Sequence, residues 1–431
     1  MHKEFFEING LGGEAILEGE IKVSGAKNAA LPALASTVLF KDTVTLTGIP
    51  AIEDIERTSE MITASGGQIR RDGYDGTMEV SIPDSFTPDL TGDIAKCMRA
   101  SVIFTGPLLA RFHRVRFPHP GGCVIGPRPI DMFLEAYKRM GASVNVENSS
   151  YEITAPKGLH GAPIFFRQQS VTGTEAVMMA AVLADGTTTI ENAACEPEIA
   201  SVANFLNANG AEITGVGSST VTVRGGSLLQ AGDPYRNIPD RIEAGSFLIL
   251  AALAGKDVRI TNVDLLQIRS LTCELERAGV ELHYEKESIS LSRSKKPYRP
   301  LTLKTHEYPG FPTDLQAPML VFLTQAEGES LVFETVFENR LNYTEEIVRM
   351  GADITIMNPH QALIRGPRRL RGRELPSPDI RAGLAFVIAA AIAEGKSQVH
   401  NVYYIDRGYE RIDERLSALG LSTVRHESET H

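Results

Sequence analysis

Cysteine is scarce in this chain: of 431 residues only Cys97, Cys123, Cys195 and Cys273 are cysteines, far apart and with no Cys-x-x-Cys pair. That spacing excludes a zinc ribbon and a disulfide framework. No run of 18 apolar residues occurs, and the start, Met1-His2-Lys3-Glu4, has no basic stretch leading into an apolar one, so neither a membrane span nor a secretion signal is expected. Net positive charge is lacking too. The formal charge is -11, which argues against nucleic acid as a partner, because neutralising phosphates takes a basic face. P-loop, dinucleotide glycine fingerprint and metal-type His or carboxylate clusters are all missing, so the chemistry is expected to need no cofactor and no metal. What these absences leave is a cytoplasmic globular protein with small-molecule partners, no membrane contact and no obligate protein partner.

Glycine, by contrast, recurs with a period. An amphipathic helical pattern closes on glycine at Gly66, Gly141, Gly210, Gly279, Gly351 and Gly420, at intervals of 75, 69, 69, 72 and 69 residues. Ahead of each lies an almost wholly apolar helical run opened by Lys27, Arg99, Thr174, Arg241, Asp314 or Arg381. The third copy shows the unit most clearly. Ala176 to Ala184 is apolar all round, Thr187 to Asn192 alternates as a strand, Glu198 to Gly210 has a 3.6-residue period, and two short strands follow. The unit reads as β-α-β-α-β-β.

A helix that is apolar on every side belongs in a core, and an amphipathic one belongs further out. Helices inside and sheets outside follow. With 42% hydrophobic residues and a length suited to two domains of about 200 residues each, the six copies are expected to form two α/β domains of three repeats. One is expected to be discontinuous, built from residues 1–24 plus 239–431, where the N-terminal strand, Phe5 to Leu17, completes the sixth sheet. The other is residues 25–238.

The openers carry the chemistry. Cations at helix starts sit where the backbone dipole prefers an anion, so a bound phosphate or carboxylate would relieve them. Lys27 and Asn28 follow a glycine turn in Ser24-Gly-Ala-Lys-Asn. Asp314 follows the rigid Tyr308-Pro-Gly-Phe-Pro turn and is the sole acceptor among the charged openers, hence the candidate general base. Arg340 and Arg407 fall in the turn before the outer helix of copies five and six. In copy two that turn grows into a loop, 118–131, with three glycines and four prolines, Cys123 at its tip and Arg128 nearby. An exposed cysteine beside an arginine suits a thiolate or a proton donor. Cys97 and Cys273 read as buried small hydrophobes and Cys195 as structural. At least five Lys or Arg residues around one cleft suit substrates that carry a carboxylate and several phosphates.

These residues resemble the enolpyruvyl transferases, within them the branch acting on UDP-N-acetylglucosamine. The matching stretches are Gly25-Ala-Lys-Asn, Met98-Arg-Ala-Ser, Gly121-Gly-Cys-Val-Ile-Gly-Pro-Arg-Pro, Glu191-Asn-Ala-Ala-Cys-Glu-Pro-Glu, Gly310-Phe-Pro-Thr-Asp, Phe337-Glu-Asn-Arg and Ile405-Asp-Arg-Gly-Tyr-Glu-Arg. They span almost the whole chain. The resemblance implies two inside-out α/β barrel domains and the transfer of enolpyruvyl from phosphoenolpyruvate to the sugar 3-hydroxyl through a tetrahedral ketal, opening peptidoglycan synthesis.

By the same resemblance Lys27, Arg128 and Arg407 hold the donor's phosphate, with Asn28 beside it, and Arg340 and Arg381 hold its carboxylate. Asp314 takes the hydroxyl proton, and Cys123 either protonates the methylene carbon or adds to the donor covalently. Asn28, Arg99, Arg128, Pro129, Ile130, Asp131, Met132, Ser170, Val171, Asp314 and Val336 are the implied contacts of the UDP-sugar. Two positions depart from the family pattern: Phe133 stands where many members have histidine, and Gln168 where many have lysine. The histidine and lysine of those members would face the nucleotide, and their loss here keeps open an enolpyruvyl acceptor that is a different nucleotide or sugar phosphate. A silent anion-binding protein would be marked by loss of Cys123, Asp314 or Lys27, and all three are present.

Overall fold

A computed structural model describes residues 4–72, 76–90, 92, 99–119, 130–147, 150–293 and 297–427. The chain divides into two compact units, one formed by the chain up to Ser24 and from Pro239 onward, the other beginning at Gly25 and ending at Ile238. Each has its own apolar core.

In the unit that begins at Gly25 the central helices are Lys27–Ser36, a 3-10 turn Arg99–Phe104 running into Thr105–Phe112, and Val171–Ala181. In the other unit they are Arg241–Ala254, a 3-10 turn Thr313–Leu315 running into Gln316–Leu323, and Ile380–Ile392. Rich in Ala, Leu, Ile and Phe, they bury nearly every residue, and in each unit they pack on one another. A side chain at Gly106 would put its Cβ 1.9 Å from the Ala176 carbonyl oxygen, so glycine there is what lets the second and third helices approach so closely.

Around each trio lie three sheets with a common plan. In the third copy Thr187–Glu191 pairs parallel with Pro163–Phe165 on one side and antiparallel with Thr220–Arg224 on the other, and Glu212–Thr214 forms the far edge. The same order recurs in the other copies, with three strands plus an isolated Asp89 to Arg116 bridge in copy two. The expected β-α-β-α-β-β unit is therefore present, helices inside and sheets outside. The six sheets stay separate and open, however. The implied barrels do not close, because among the described residues the edge strands of neighbouring sheets do not pair.

The N-terminal strand also differs from expectation by splitting. Phe5–Asn9 enters the sixth sheet between Lys396–His400 and Thr423–His426, antiparallel to both. Leu17–Lys22 runs parallel to Gly255–Thr261 in the fourth. The glycines Gly12 and Gly13, both with positive φ, turn the chain between them. Where the chain leaves this unit, the Ser24 N–H donates to buried Glu243 (2.6 Å) and its carbonyl accepts from the Asp240 N–H (2.9 Å). No described helix is long and apolar enough to cross a membrane.

Candidate active site

Asp314 is the second residue of the 3-10 turn that opens the fifth central helix, delivered there by Pro309 and Pro312. Its two carboxylate oxygens meet two guanidinium groups: Arg340 Nη2 lies 2.9 Å from Oδ1 and Arg381 Nη2 lies 2.8 Å from Oδ2. Both arginines are about 95% buried, whereas the aspartate keeps a quarter of its side chain open. The Arg381 Nη1 donates to the Tyr409 hydroxyl (2.9 Å), and the Arg340 guanidinium lies over the Phe337 ring. Burial by itself disfavours the Arg381 cation, but Asp314, with Tyr409 and Asp240, more than offsets it and holds the pKa above the ordinary arginine value. Burial likewise pushes the Tyr409 phenol up, with Arg381 opposing. The result is a fixed cation on either side of a partly open carboxylate, with a neutral phenol behind.

Arg340 and Arg381, two of the expected cations, belong to the same unit as Asp314 and touch it directly. The idea of unrelieved cations at helix starts needs correcting. Asp379 caps the sixth central helix, accepting from the N–H groups of Arg381 (2.7 Å) and Ala382 (3.1 Å), and Asp240 caps the fourth, accepting from Ile242 (2.8 Å) and Glu243 (3.0 Å). Carboxylates already occupy those helix ends. Arg241 lies over the Tyr308 ring at 5.5 Å. Thr174 accepts from the Ala194 N–H (3.0 Å) inside the core, which gives it a structural duty.

In the other unit Lys27 Nζ meets Asp54 Oδ2 at 2.7 Å, with the Asp54 side chain 5% exposed. Asn28 follows, half-buried, in the first helical turn. Ser170 caps the third central helix by accepting from the Gly173 N–H (3.0 Å), leaving its hydroxyl hydrogen able to donate, and Val171 is the first residue of that helix. Ile130 is buried, Met132 half-buried and Asp131 exposed, paired with Arg167 at 2.5 Å. Arg407 ends the short helix Tyr403–Asp406, half-buried, in the turn leading to Tyr409. Val336 is half-buried in the turn that leads to Arg340. Cys97, Cys123, Arg128 and Pro129 lie outside the described residues, as does the Arg99 side chain.

Phe133 is buried: with Ala136 and Tyr137 it forms the inward stripe of the helix Asp131–Arg139 and packs beside Gly173. One further expectation is overturned. Cys273 is exposed, because the helix Arg269–Arg277 turns Leu271, Thr272 and Leu275 inward and leaves position 273 on the opposite face. Cys195 is half-buried, with its thiol pushed up by burial and then by Glu196, as suits a structural residue. Gln168 is exposed.

The contributors missed from sequence are Asp54, Tyr409 and the capping pair Asp240 and Asp379. The caps had a signal, an aspartate directly before or two residues ahead of an arginine opener. Among the described residues no group of three or more His, Cys, Asp or Glu side chains is placed to hold a metal.

Comparison with known proteins places this architecture. The family model described as EPSP synthase (3-phosphoshikimate 1-carboxyvinyltransferase) matches residues 12–416. Proteins named UDP-N-acetylglucosamine 1-carboxyvinyltransferase are similar over nearly their whole length. That of Trichlorobacter lovleyi is 41% identical over 95% of this chain and 96% of its own, and that of Helicobacter pylori is 40% identical over 98% and 99%. Among solved structures, the enolpyruvyl transferase NikO from Streptomyces tendae superposes with a TM-score of 0.86 at 22% identity, covering 99% of this chain and all of that one. EPSP synthase from Acinetobacter baumannii gives 0.75 at 18%, again over 99% of this chain and all of its own. Six sheets around two helix trios, with Asp314 between two buried arginines, thus sit in a chain that belongs to the EPSP synthase family of enolpyruvyl transferases.

Proposed function

We propose that the chain transfers the enolpyruvyl group of phosphoenolpyruvate to the 3-hydroxyl of UDP-N-acetylglucosamine in the cytoplasm, releasing inorganic phosphate and committing the sugar to peptidoglycan. The observation that carries this reading is the full-length similarity, at about 40% identity, to relatives named for that reaction. The Asp314 cluster supplies the chemistry it needs. A carboxylate seated on two buried guanidiniums is fixed in place, and its open edge can take a proton.

Arg340 and Arg381 then bind the donor's carboxylate, an anion of the same kind as the Asp314 side chain they pair with. Asp314, exchanging these partners for the incoming hydroxyl, takes the proton as the sugar oxygen forms a bond to C2 of phosphoenolpyruvate. Cys123 gives a proton to C3, completing a tetrahedral ketal. Return of a C3 proton to the Cys123 thiolate and cleavage of the bond between C2 and the phosphate's bridging oxygen then regenerate the double bond and free phosphate. Lys27, Arg128 and Arg407, with Asn28, take the phosphate. Arg99, Ser170, Val171, Val336 and residues 128–132 take the UDP-sugar. Metal and cofactor have no part in this scheme.

Product analysis tests it. Incubated with phosphoenolpyruvate and a panel of UDP-sugars, the protein should convert UDP-N-acetylglucosamine to a species heavier by one enolpyruvyl group, seen by mass spectrometry. Conversion of another sugar nucleotide in preference would move the acceptor elsewhere.

A further inference from the structure

In three copies of the repeat, the residue just after the strand that leaves the central helix has one job. Asn192, Asn262 and Asn401 each adopt the left-handed region, with φ of 56, 57 and 59°. Each donates from Nδ2 to the carbonyl at the end of the neighbouring parallel strand, Asn192 to Phe166 (2.8 Å), Asn262 to Val23 (2.7 Å) and Asn401 to Ser377 (3.1 Å). The fifth copy departs. There Thr335 anchors the neighbouring strand: its N–H donates to Thr305 Oγ1 (2.9 Å) and its hydroxyl to the Thr305 carbonyl (2.6 Å).

The residue after the strand is Glu334, outside the left-handed region and 0% exposed. Its Oε1 accepts from the N–H groups of Val336 (2.8 Å) and Phe337 (3.2 Å), and its Oε2 accepts from the Thr313 hydroxyl (2.9 Å). Burying a carboxylate is costly, and anchoring the sheet does not require one here, since Thr335 does that. Every bond that Glu334 makes through its side chain ends beside the Asp314 cluster. Thr313 directly precedes Asp314. Val336 and Phe337 begin the turn that ends in Arg340, whose guanidinium lies 5.7 Å from the centre of the Phe337 ring.

We infer that Glu334 is a positioning residue, a carboxylate clamp that locks the Asp314 turn to the Arg340 turn and so sets the base against the guanidinium that receives the donor's carboxylate. Glu334 reaches no reacting atom itself. The assignment of base and donor rests on the reaction proposed above, whereas the clamp rests on the bonds alone.

Glu334→Ala and Glu334→Gln in the full chain test the inference with two readouts. In Glu334→Ala, still folded by circular dichroism, kcat should fall by about a hundredfold, as expected when reacting groups are misplaced by about 1 Å, with little change in KM for UDP-N-acetylglucosamine. Gln, which can accept from both N–H groups and donate to Thr313 Oγ1, should recover most of that loss. A purely structural role would lower Tm in both variants and leave kcat of the folded enzyme unmoved. Hydrogen exchange across residues 336–340 in the substrate-free protein should quicken in Glu334→Ala and stay near the parent in Glu334→Gln. This second readout needs no turnover, so it decides the clamp even if the parent protein proves to use another acceptor. Unchanged exchange at 336–340 in Glu334→Ala, or an unchanged kcat in an active parent, would overturn the inference.

Discussion

Lys27 and Asp54 show what a single side chain decides. Their contact, 2.7 Å with the aspartate almost fully buried, neutralises the cation proposed above to take the donor's phosphate. Removing one partner of a buried pair costs roughly 3–5 kcal/mol, because the other charge is left in a poorly solvated place. Asp54→Asn should therefore lower the unfolding free energy from urea titration by about 3 kcal/mol, the lower end of that range, since Lys27 keeps some water. Inorganic phosphate should restore part of the loss and raise Tm more in the variant than in the parent; an equal phosphate shift in both would separate Lys27 from anion binding. Lys27 and Asp314 could be picked out from sequence because each opens an apolar helix where packing has no use for charge. Asp54 could not. It shares the first turn of its helix with Glu53 and Glu56, where acidic residues are ordinary company for the helix dipole, and nothing in the letters says which of the three turns inward. Tyr409 and Glu334 are hidden because each reaches a residue distant in the chain, Tyr409 meeting Arg381 28 residues away and Glu334 meeting Thr313 21 residues away.

At the level of the element, the outer helices end alike. In all six copies the closing glycine has a positive φ, between 95 and 114°. The residue after it donates to the carbonyl five positions earlier, as Ala211 does to Leu206 and Leu421 to Leu416, while the glycine itself donates three positions back, as Gly210 does to Asn207. This paired bonding satisfies carbonyls that the helix leaves open, and it requires a left-handed residue. Gly210 has nothing within 4 Å of where a Cβ would go, so Gly210→Ala isolates the backbone term. It should cost about 1–2 kcal/mol, read as a drop of a few degrees in Tm; an unchanged melt would mean that the stop is not under conformational strain. Because this stop is a local rule written in one residue type, the repeat was legible from glycine spacing alone. The central helices were legible too, from runs with no polar face. Sheet closure was not, since it depends on whether edges of different copies meet, and edge strands carry no mark of their partner.

For the molecule as a whole, the order of strands ties the two ends of the chain together. Phe5–Asn9 is an interior strand of the sixth sheet, paired over five residues with Lys396–His400 and also with Thr423–His426, and Phe6 and Ile8 are fully buried in the core. Burying two such side chains contributes about 1.5–3 kcal/mol each, before the lost sheet bonds are counted. Deleting residues 1–9 should thus lower Tm strongly and expose the segment from Pro239 onward to proteolysis, although it lies more than two hundred residues away in sequence. A truncated protein that melts and resists protease like the parent would contradict the strand's place in that sheet.

The claim that binds residues, elements and fold is that Asp314, held by Arg340 and Arg381, is the base of an enolpyruvyl transfer. Its most direct test is the rate of phosphate release from phosphoenolpyruvate with saturating UDP-N-acetylglucosamine, measured side by side for the parent and Asp314→Asn. The parent should release phosphate in step with sugar consumed, and the variant should be slower by about 10²–10⁴-fold while still binding the UDP-sugar. Phosphate release by Asp314→Asn at the parent's rate would contradict the account.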